Sequence, residues 1–219
     1  MKILCLSDTH CYKVPGLPEA DVLLHTGDWS SYGSEGETVQ FFAWLNDVEH
    51  KFGDIVIVPG NHDKWPFANP DVMHKMCESR GYHYLDDLAA TIQGKKFYGM
   101  PWTPTFGHRW AYNADLAARM LRCAAIPDDT QVLGTHGPPH KFMGGVENFC
   151  GKQCEWETLH AGCTELRKAI ERVKPQLHAF GHIHEGSGEE DYGGIRLVNA
   201  SIMDRHYRPV NPYRLVEIA

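Results

Sequence analysis

Five short polar stretches carry the residues able to do chemistry: Asp8-Thr9-His10, Gly27-Asp28, Gly60-Asn61-His62-Asp63, Thr135-His136-Gly137 and Gly181-His182-Ile183-His184. They offer carboxylates, imidazoles and an amide, a donor mixture that suits intermediate divalent ions such as manganese, iron or zinc. The set is too rich in nitrogen for calcium and lacks the thiolates of a structural zinc site. Two of the carboxylates, four of the histidines and the asparagine already exceed what one ion can use. A two-metal centre follows, with ions roughly 3.5–4 Å apart, bridged by one carboxylate and a solvent oxygen. Asp8 and His10, like His182 and His184, are spaced by two, which on an extended strand points both side chains to one side. Gly27, Gly60, Gly137 and Gly181 let the backbone turn sharply and approach the metals closely.

The elements that must position these residues are legible from the apolar pattern. Each polar stretch begins where a short apolar run ends, and in open α/β sheets ligands bind beyond the carboxyl ends of the strands. Lys2–Ser7, Val22–His25, Ile55–Val58, Val132–Gly134 and Leu177–Phe180 read as strands. Continuous apolar runs of this kind suggest strands buried on both faces. Phe41, Trp44, Leu45 and Val48 give one apolar face to a helix over about Glu37–Lys51. Further helices are expected from Asn69-Pro70-Asp71, with Asn69 as cap, over Ala114–Ala125, and around Leu166–Val173. Thr91–Met100 reads as a hairpin about Gln93-Gly94-Lys95, and Ile195–Val198 and Tyr213–Ile218 as late strands. Strand and helix alternation with late strand pairs predicts an α/β layered fold. No linker, repeat or low-complexity segment interrupts residues 1–219, so one domain is expected.

Composition narrows the function classes. The chain has 219 residues, 42% apolar and 22% charged, which excludes a disordered or collagen-like chain. The net charge of -7, from 21 basic and 28 acidic residues, argues against a large nucleic acid as partner. No apolar run approaches the ~20 residues needed to cross a bilayer, and the first segment, ending at polar Ser7-Asp8-Thr9-His10, is not expected to be a signal peptide. With no secretory signal, the seven cysteines are expected as reduced thiols in a cytoplasm. Cys150, Cys154 and Cys163, with His160 near by, do not complete a zinc site of recognised spacing.

The ordered set D-x-H, G-D, G-N-H-D, T-H-G-P-P and G-H-x-H resembles the calcineurin-like metallophosphoesterase superfamily, over about Lys2–Ser201. Tyr98–Pro104, Lys174–Gly186 and Val198-Asn199-Ala200-Ser201 resemble a narrower group, the brain-type MPPED-like metallophosphoesterases. The resemblance implies a four-layer α-β-β-α sandwich. It implies that Asp8, His10 and His184 bind one metal, that Asn61, His136 and His182 bind the second, and that Asp28 bridges them. His62 would assist the leaving group beside the phosphate, and Asp63 would orient His62. Some relatives of the narrower group carry glycine where this chain keeps His182, so a complete and active centre is expected.

The implied activity is hydrolysis of a phosphoester by attack of a metal-bridging hydroxide, with two divalent ions as cofactors. Manganese is preferred, and iron, zinc, nickel, cobalt or magnesium are alternatives. The expected substrates are small phosphodiesters or cyclic nucleotides. A phosphomonoesterase and a nucleotide-binding or scaffold protein with little catalysis are the alternatives. The number of subunits stays open, a homodimer included. The other nine histidines are expected at the surface or locally bonded, with substrate contact as the alternative for His25, three residues before Asp28, and for His140, after the T-H-G-P-P loop. Trp102 reads as a packing anchor that could instead stack on a nucleobase. Asn199 reads as a strand-end amide, and Lys141–Gly162 as a loop that shapes specificity.

Overall fold

The structure is a computed structural model and describes residues 1–107, 109–145 and 161–219. The first part of the chain forms β1 (Lys2–Leu6), β2 (Ala20–His25), α1 (Glu35–Val48), β3 (Phe52–Ile57), α2 (Lys64–Ala68), α3 (Pro70–Glu78) and β4 (His83–Tyr84). Next come β5 (Leu88–Ile92), β6 (Lys95–Met100), β7 (Thr103–Pro104), β8 (Asn113–Ala114), α4 (Leu116–Ala125) and β9 (Val132–Thr135). The last part gives α5 (Thr164–Val173), β10 (Leu177–Phe180), β11 (Gly188–Tyr192), β12 (Ile195–Asn199) and β13 (Arg214–Glu217). One sheet has the order β13-β1-β2-β3-β4 and the other β11-β12-β10-β9-β6-β5, while β7 and β8 pair separately.

Alternation along the strands builds the layers. In β1, Leu4 and Leu6 face outward onto Phe41, Trp44 and Leu45 of α1 and Met73 and Cys77 of α3. Ile3 and Cys5 face the other way and meet Leu177 and Ala179 of β10 and Val198 of β12 between the two sheets. The far side of the second sheet puts Leu133, Phe180 and Leu197 against Cys123 of α4 and Leu166, Ala169, Ile170 and Val173 of α5. The result is the four-layer α-β-β-α sandwich. Both faces of each central strand are dry, so the strands need apolar residues at every position, each worth roughly 1.5–3 kcal/mol on burial.

β1, β2, β3 and β4 run parallel, as do β12, β10, β9 and β6. Their carboxyl ends meet where the sheets touch: Ser7 after β1 bridges Ser201 after β12. Ser7 N–H donates to the Ala200 carbonyl at 3.0 Å, and Ile202 N–H to the Ser7 carbonyl at 3.0 Å. That stitch brings loops from both sheets to one crevice. β13 closes the first sheet antiparallel to β1, with Lys2 opposite Glu217.

Some element boundaries differ from expectation for local reasons. α1 starts two residues early because Ser34 and Glu37 form a capping box. Its last expected turn is instead the 3-10 turn Glu49–Lys51. The Asn69 side chain does not cap α3; its Nδ2 donates to the Trp65 carbonyl at 2.9 Å and ties α2 to α3. β11 has no apolar pattern because it is a charged edge strand, a composition that discourages pairing with another chain. Residues 146–160 of the expected specificity loop, with Cys150, Cys154 and His160, lie outside the described residues. Cys163 sits at the start of α5, its Sγ accepting from Leu166 N–H at 3.4 Å. Among the described residues no helix is long and apolar enough to cross a membrane.

Candidate metal centre

Every stretch singled out above lies just past a strand end in the same crevice. Asp8 follows β1, Asp28 follows β2, Asn61 and His62 follow β3, His136 follows β9, and His182 and His184 follow β10. Asp8, Asp28, Asn61 and His136 are buried, each 2% exposed or less. His184 Nε2 stands 3.3 Å from Asp8 Oδ1 and 3.4 Å from His10 Nε2. His136 Nε2 stands 3.4 Å from Asp28 Oδ2 and 2.9 Å from Asn61 Oδ1. Asp28 Oδ2 also faces His62 Nε2 at 3.9 Å and His10 Nε2 at 4.0 Å. Thus donor atoms of Asp8, His10 and His184 gather within 4.8 Å of one another, as do those of Asp8, Asp28 and His136 and of His10, Asp28 and His62. His182 joins by its ring, 5.0 Å from that of His136.

Convergence does not come from strand pleating, as the spacing by two had implied. Asp8 and His10 lie beyond β1 with φ of 53° and 42°, Asp28 has φ 57°, and His182 has φ 69°. Non-glycine residues in the left-handed region are uncommon, and such strain collects at functional sites. Here it turns each side chain off its strand axis toward the centre. His184 opens a 3-10 turn of its own.

The histidines are aimed by their backbones. Nδ1 of His10, His136 and His184 sits 2.9 Å from the carbonyls of Ser30, Thr26 and Asp204 respectively. His62 Nδ1 is 2.6 Å from the Ser31 carbonyl. A carbonyl only accepts, so Nδ1 carries a proton and Nε2 is turned inward, where His10, His136 and His184 offer a lone pair whenever the ring is neutral. Lone pairs of His10 and His184 then face each other, and that of His136 faces the Asn61 and Asp28 oxygens. Acceptors crowded in this way need a positive charge among them, and the donor set fits divalent cations. Without a cation a proton supplies that charge: burial opposes it on His136 and His184, yet Asp28 beside the first and Asp8 beside the second overcome it, and both are pushed up to about 9. Burial likewise opposes charge on Asp8 and Asp28, but the neighbouring imidazoles outweigh it and hold both below the usual carboxylate range. Burial above all lowers His10, and takes His182 down to about 3, which keeps the neutral, ligating form.

Asp63 does not orient His62. Its Oδ2 accepts from the N–H groups of Asp28 and Gly60, both at 2.8 Å, and its Oδ1 from Ser30 N–H at 3.0 Å. It therefore fixes the loops that present Asp28 and Asn61, while the Ser31 carbonyl sets His62. Burial, then the charge of Asp28, raises its carboxyl well above the usual range. Gly60 sits in the same knot: a Cβ there would lie 2.3 Å from Asp28 Oδ1 and 2.6 Å from Asp28 N. Backbone cannot yield that much, so Gly60→Ala displaces Asp28. We expect a loss of about 10²-fold in kcat with reduced metal uptake, checked by kinetics and metal analysis on the folded variant.

Other side chains singled out earlier lie elsewhere. His25 is a core histidine whose Nε2 pairs with Thr9 Oγ1 at 3.0 Å. His178 is equally buried, beside Thr135 Oγ1 at 2.9 Å. Trp102 is a packing anchor: its Nε1 donates to Asp87 at 2.8 Å and the Arg122 guanidinium lies 3.6 Å over its ring. Asn199 donates to the Ile183 carbonyl at 2.8 Å and braces the His182–His184 turn. Sequence reasoning missed Ser201, whose hydroxyl donates to Asp8 Oδ2 at 2.7 Å. It also missed the rings around the opening, Phe106, Trp110 and Tyr207, which lie on irregular segments without periodicity.

The sequence profile of calcineurin-like phosphoesterases matches residues 1–186. The chain belongs to the calcineurin-like phosphoesterase family. Metallophosphoesterase domain-containing protein 1 of Homo sapiens is 30% identical over 99% of this chain and 71% of its own length. The UPF0046 protein K07C11.7 of Caenorhabditis elegans is 32% identical over 92% of this chain and 69% of its own length. These matches agree with the MPPED-like group. The crystal structure of TT1561 of Thermus thermophilus shares the fold, with a TM-score of 0.56 at 15% identity, covering 90% of this chain and 88% of that one. As a calcineurin-like phosphoesterase the chain is a metal-dependent hydrolase of phosphoric esters, and the family implies a dinuclear divalent metal centre.

Proposed function

We propose that this calcineurin-like phosphoesterase is a phosphodiesterase of small esters, cyclic nucleotides among them, with manganese as its preferred ion. The observation that carries the reading is the crowding of imidazole lone pairs and two buried carboxylates in one crevice. In this reading Asp8, His10 and His184 hold one cation, Asn61, His136 and His182 hold the other, and Asp28 serves both. When bound, the two cations supply Lewis acidity: they ready a water for attack near neutral pH and neutralise the phosphoryl oxygens. The chain's own part is positioning. Ser201 holds Asp8 Oδ2 at 2.7 Å and the His182 N–H spans both carboxylate oxygens, at 3.0 and 3.2 Å, which keeps Oδ1 turned to His184. Asp63 locks the loops of Asp28 and Gly60. His62, clamped at Nδ1, would as the imidazolium give its Nε2 proton to the departing alkoxide and be left neutral.

The same reading takes residues 1–219 as one domain, supported by the core shared between the two sheets. A cytoplasmic setting is supported by Cys5, Cys11, Cys77, Cys123 and Cys163, all free thiols. The partner is a small phosphoester, and the net charge of -7 disfavours long nucleic acids.

The test is turnover of matched monoesters, linear diesters and cyclic nucleotides by protein loaded in turn with manganese, zinc, iron and magnesium. Diesters should exceed monoesters in kcat/KM, with manganese giving the highest rate. Preference for monoesters would overturn the substrate assignment, and a flat trace with every ion would favour a binding role.

A further inference from the structure

Three aromatic side chains surround the opening of a crevice whose floor is charged. Phe106 lies 5.0 Å from the His182 ring, Trp110 4.4 Å from His62, and Tyr207 4.8 Å from His10 and 5.2 Å from His184. Phe106 and Tyr207 are 36% and 52% exposed, although large aromatic surfaces are normally withdrawn from water. Phe106 and Trp110 stack on each other, 27° apart with centroids at 6.1 Å, so the half-buried Trp110 backs the exposed Phe106 ring. The Lys64 ammonium lies over the Trp110 ring, 4.7 Å from its centre, and adds a positive charge beside the exposed Phe106.

Tyr207 is held, not merely left, at the rim. Its φ of 58° is left-handed, a conformation a bulky residue adopts only under constraint. A tight turn supplies that constraint. Tyr207 N–H donates to the Asp204 carbonyl at 2.9 Å, while the Asp204 carboxylate accepts from the N–H groups of His206 at 2.8 Å and Arg208 at 3.0 Å. The same Asp204 carbonyl sits 2.9 Å from His184 Nδ1. One turn therefore sets both a candidate metal ligand and the aromatic ring above it.

We propose that Phe106 and Trp110, faced by Tyr207 across the opening, form a stacking subsite for a planar aromatic substituent of the substrate, an aryl ring or a nucleobase. The inference rests on the phosphoesterase reading of the centre, since a phosphoryl group on the cations brings its substituent to this rim. Flat aromatic faces gain little from an alkyl chain or a bare sugar and most from a second π-face. Trp110 against His62 places the subsite on the side where the leaving group departs.

Calorimetric titration of the manganese-loaded protein tests this, with released phosphate measured alongside to show that each phosphate ligand stays intact. Phenylphosphonate is compared with methylphosphonate, and thymidine 5′-phosphate with deoxyribose 5-phosphate. We expect the ring-bearing member to bind about 10-fold tighter in at least one pair. Preference in the first pair alone assigns an aryl ring, and preference in the second a nucleobase. Phe106→Ala and Trp110→Ala should bring the ratio near one, and Trp110→Phe should restore most of it. Equal affinity within both pairs, or a ratio untouched by the alanine variants, overturns the subsite. Tight, ring-dependent binding without hydrolysis of any ester would instead overturn the catalytic reading and leave the subsite standing. Failure of every phosphonate and phosphate to bind would overturn both.

Discussion

Asp28→Asn should lower kcat/KM by roughly 10³-fold and strip both cations together, if Asp28 serves both as proposed. Asp28 Oδ2 is the atom faced by His136, His62 and His10 at 3.4, 3.9 and 4.0 Å. The substitution keeps the shape of the side chain. Its Oδ1 can still accept from the His62 N–H, a contact of 2.7 Å, so the loop after β3 keeps its anchor. What disappears is one negative charge at full burial, the charge that draws cations to the His136 and His10 lone pairs. Elemental analysis of dialysed protein beside steady-state kinetics reads the result. Two ions retained at full occupancy would show that Asp28 does not bridge.

His62→Ala should reduce kcat by about 10²–10⁴-fold while metal content stays near that of the unaltered protein. The ring is held at Nδ1 by the Ser31 carbonyl and packed against Trp110, so its Nε2 has a defined direction. The loss should shrink for esters of acidic alcohols such as p-nitrophenol, whose anions leave without a proton. That dependence separates proton donation from a structural role, which would cut every substrate alike. His62 also stands within 4.8 Å of donor atoms of His10 and Asp28. Loss of metal in the alanine variant would therefore make it a ligand rather than a proton donor.

How much of this was readable beforehand depended on the kind of physics involved. The strands β1, β2, β3, β9 and β10 announced themselves because burial on two faces demands unbroken apolar runs. α2 and β11 did not: α2 is five residues held mainly by its neighbours, and β11 is a charged edge. The stretches around Asp8, Asp28, Asn61, His136 and His184 stood out because buried carboxylates and imidazoles have few structural uses. Asp63 was assigned to His62 by adjacency in sequence. Its carboxylate instead reaches the N–H groups of Asp28 and Ser30, more than thirty residues away. Trp102 drew attention as the aromatic of a Pro-rich loop, yet it is spent on Asp87 and Arg122, and Phe106, Trp110 and Tyr207 ring the opening.

By itself the sequence determined the donor types, the order in which they follow the strands, and the alternation that sorts each strand between two cores. These are local or periodic properties, present in any short window of the chain. The tertiary structure alone decided that β13 returns beside β1, that Ser7 and Ser201 join the two sheets, and that left-handed turns swing the donors inward. It also decided which oxygen of Asp8 meets the Ser201 hydroxyl and which is turned toward His184. Those outcomes depend on hydrogen bonds between residues up to about two hundred positions apart, such as Ser201 to Asp8. Such pairings are chosen by the packing of whole layers, and no spacing within a motif encodes them.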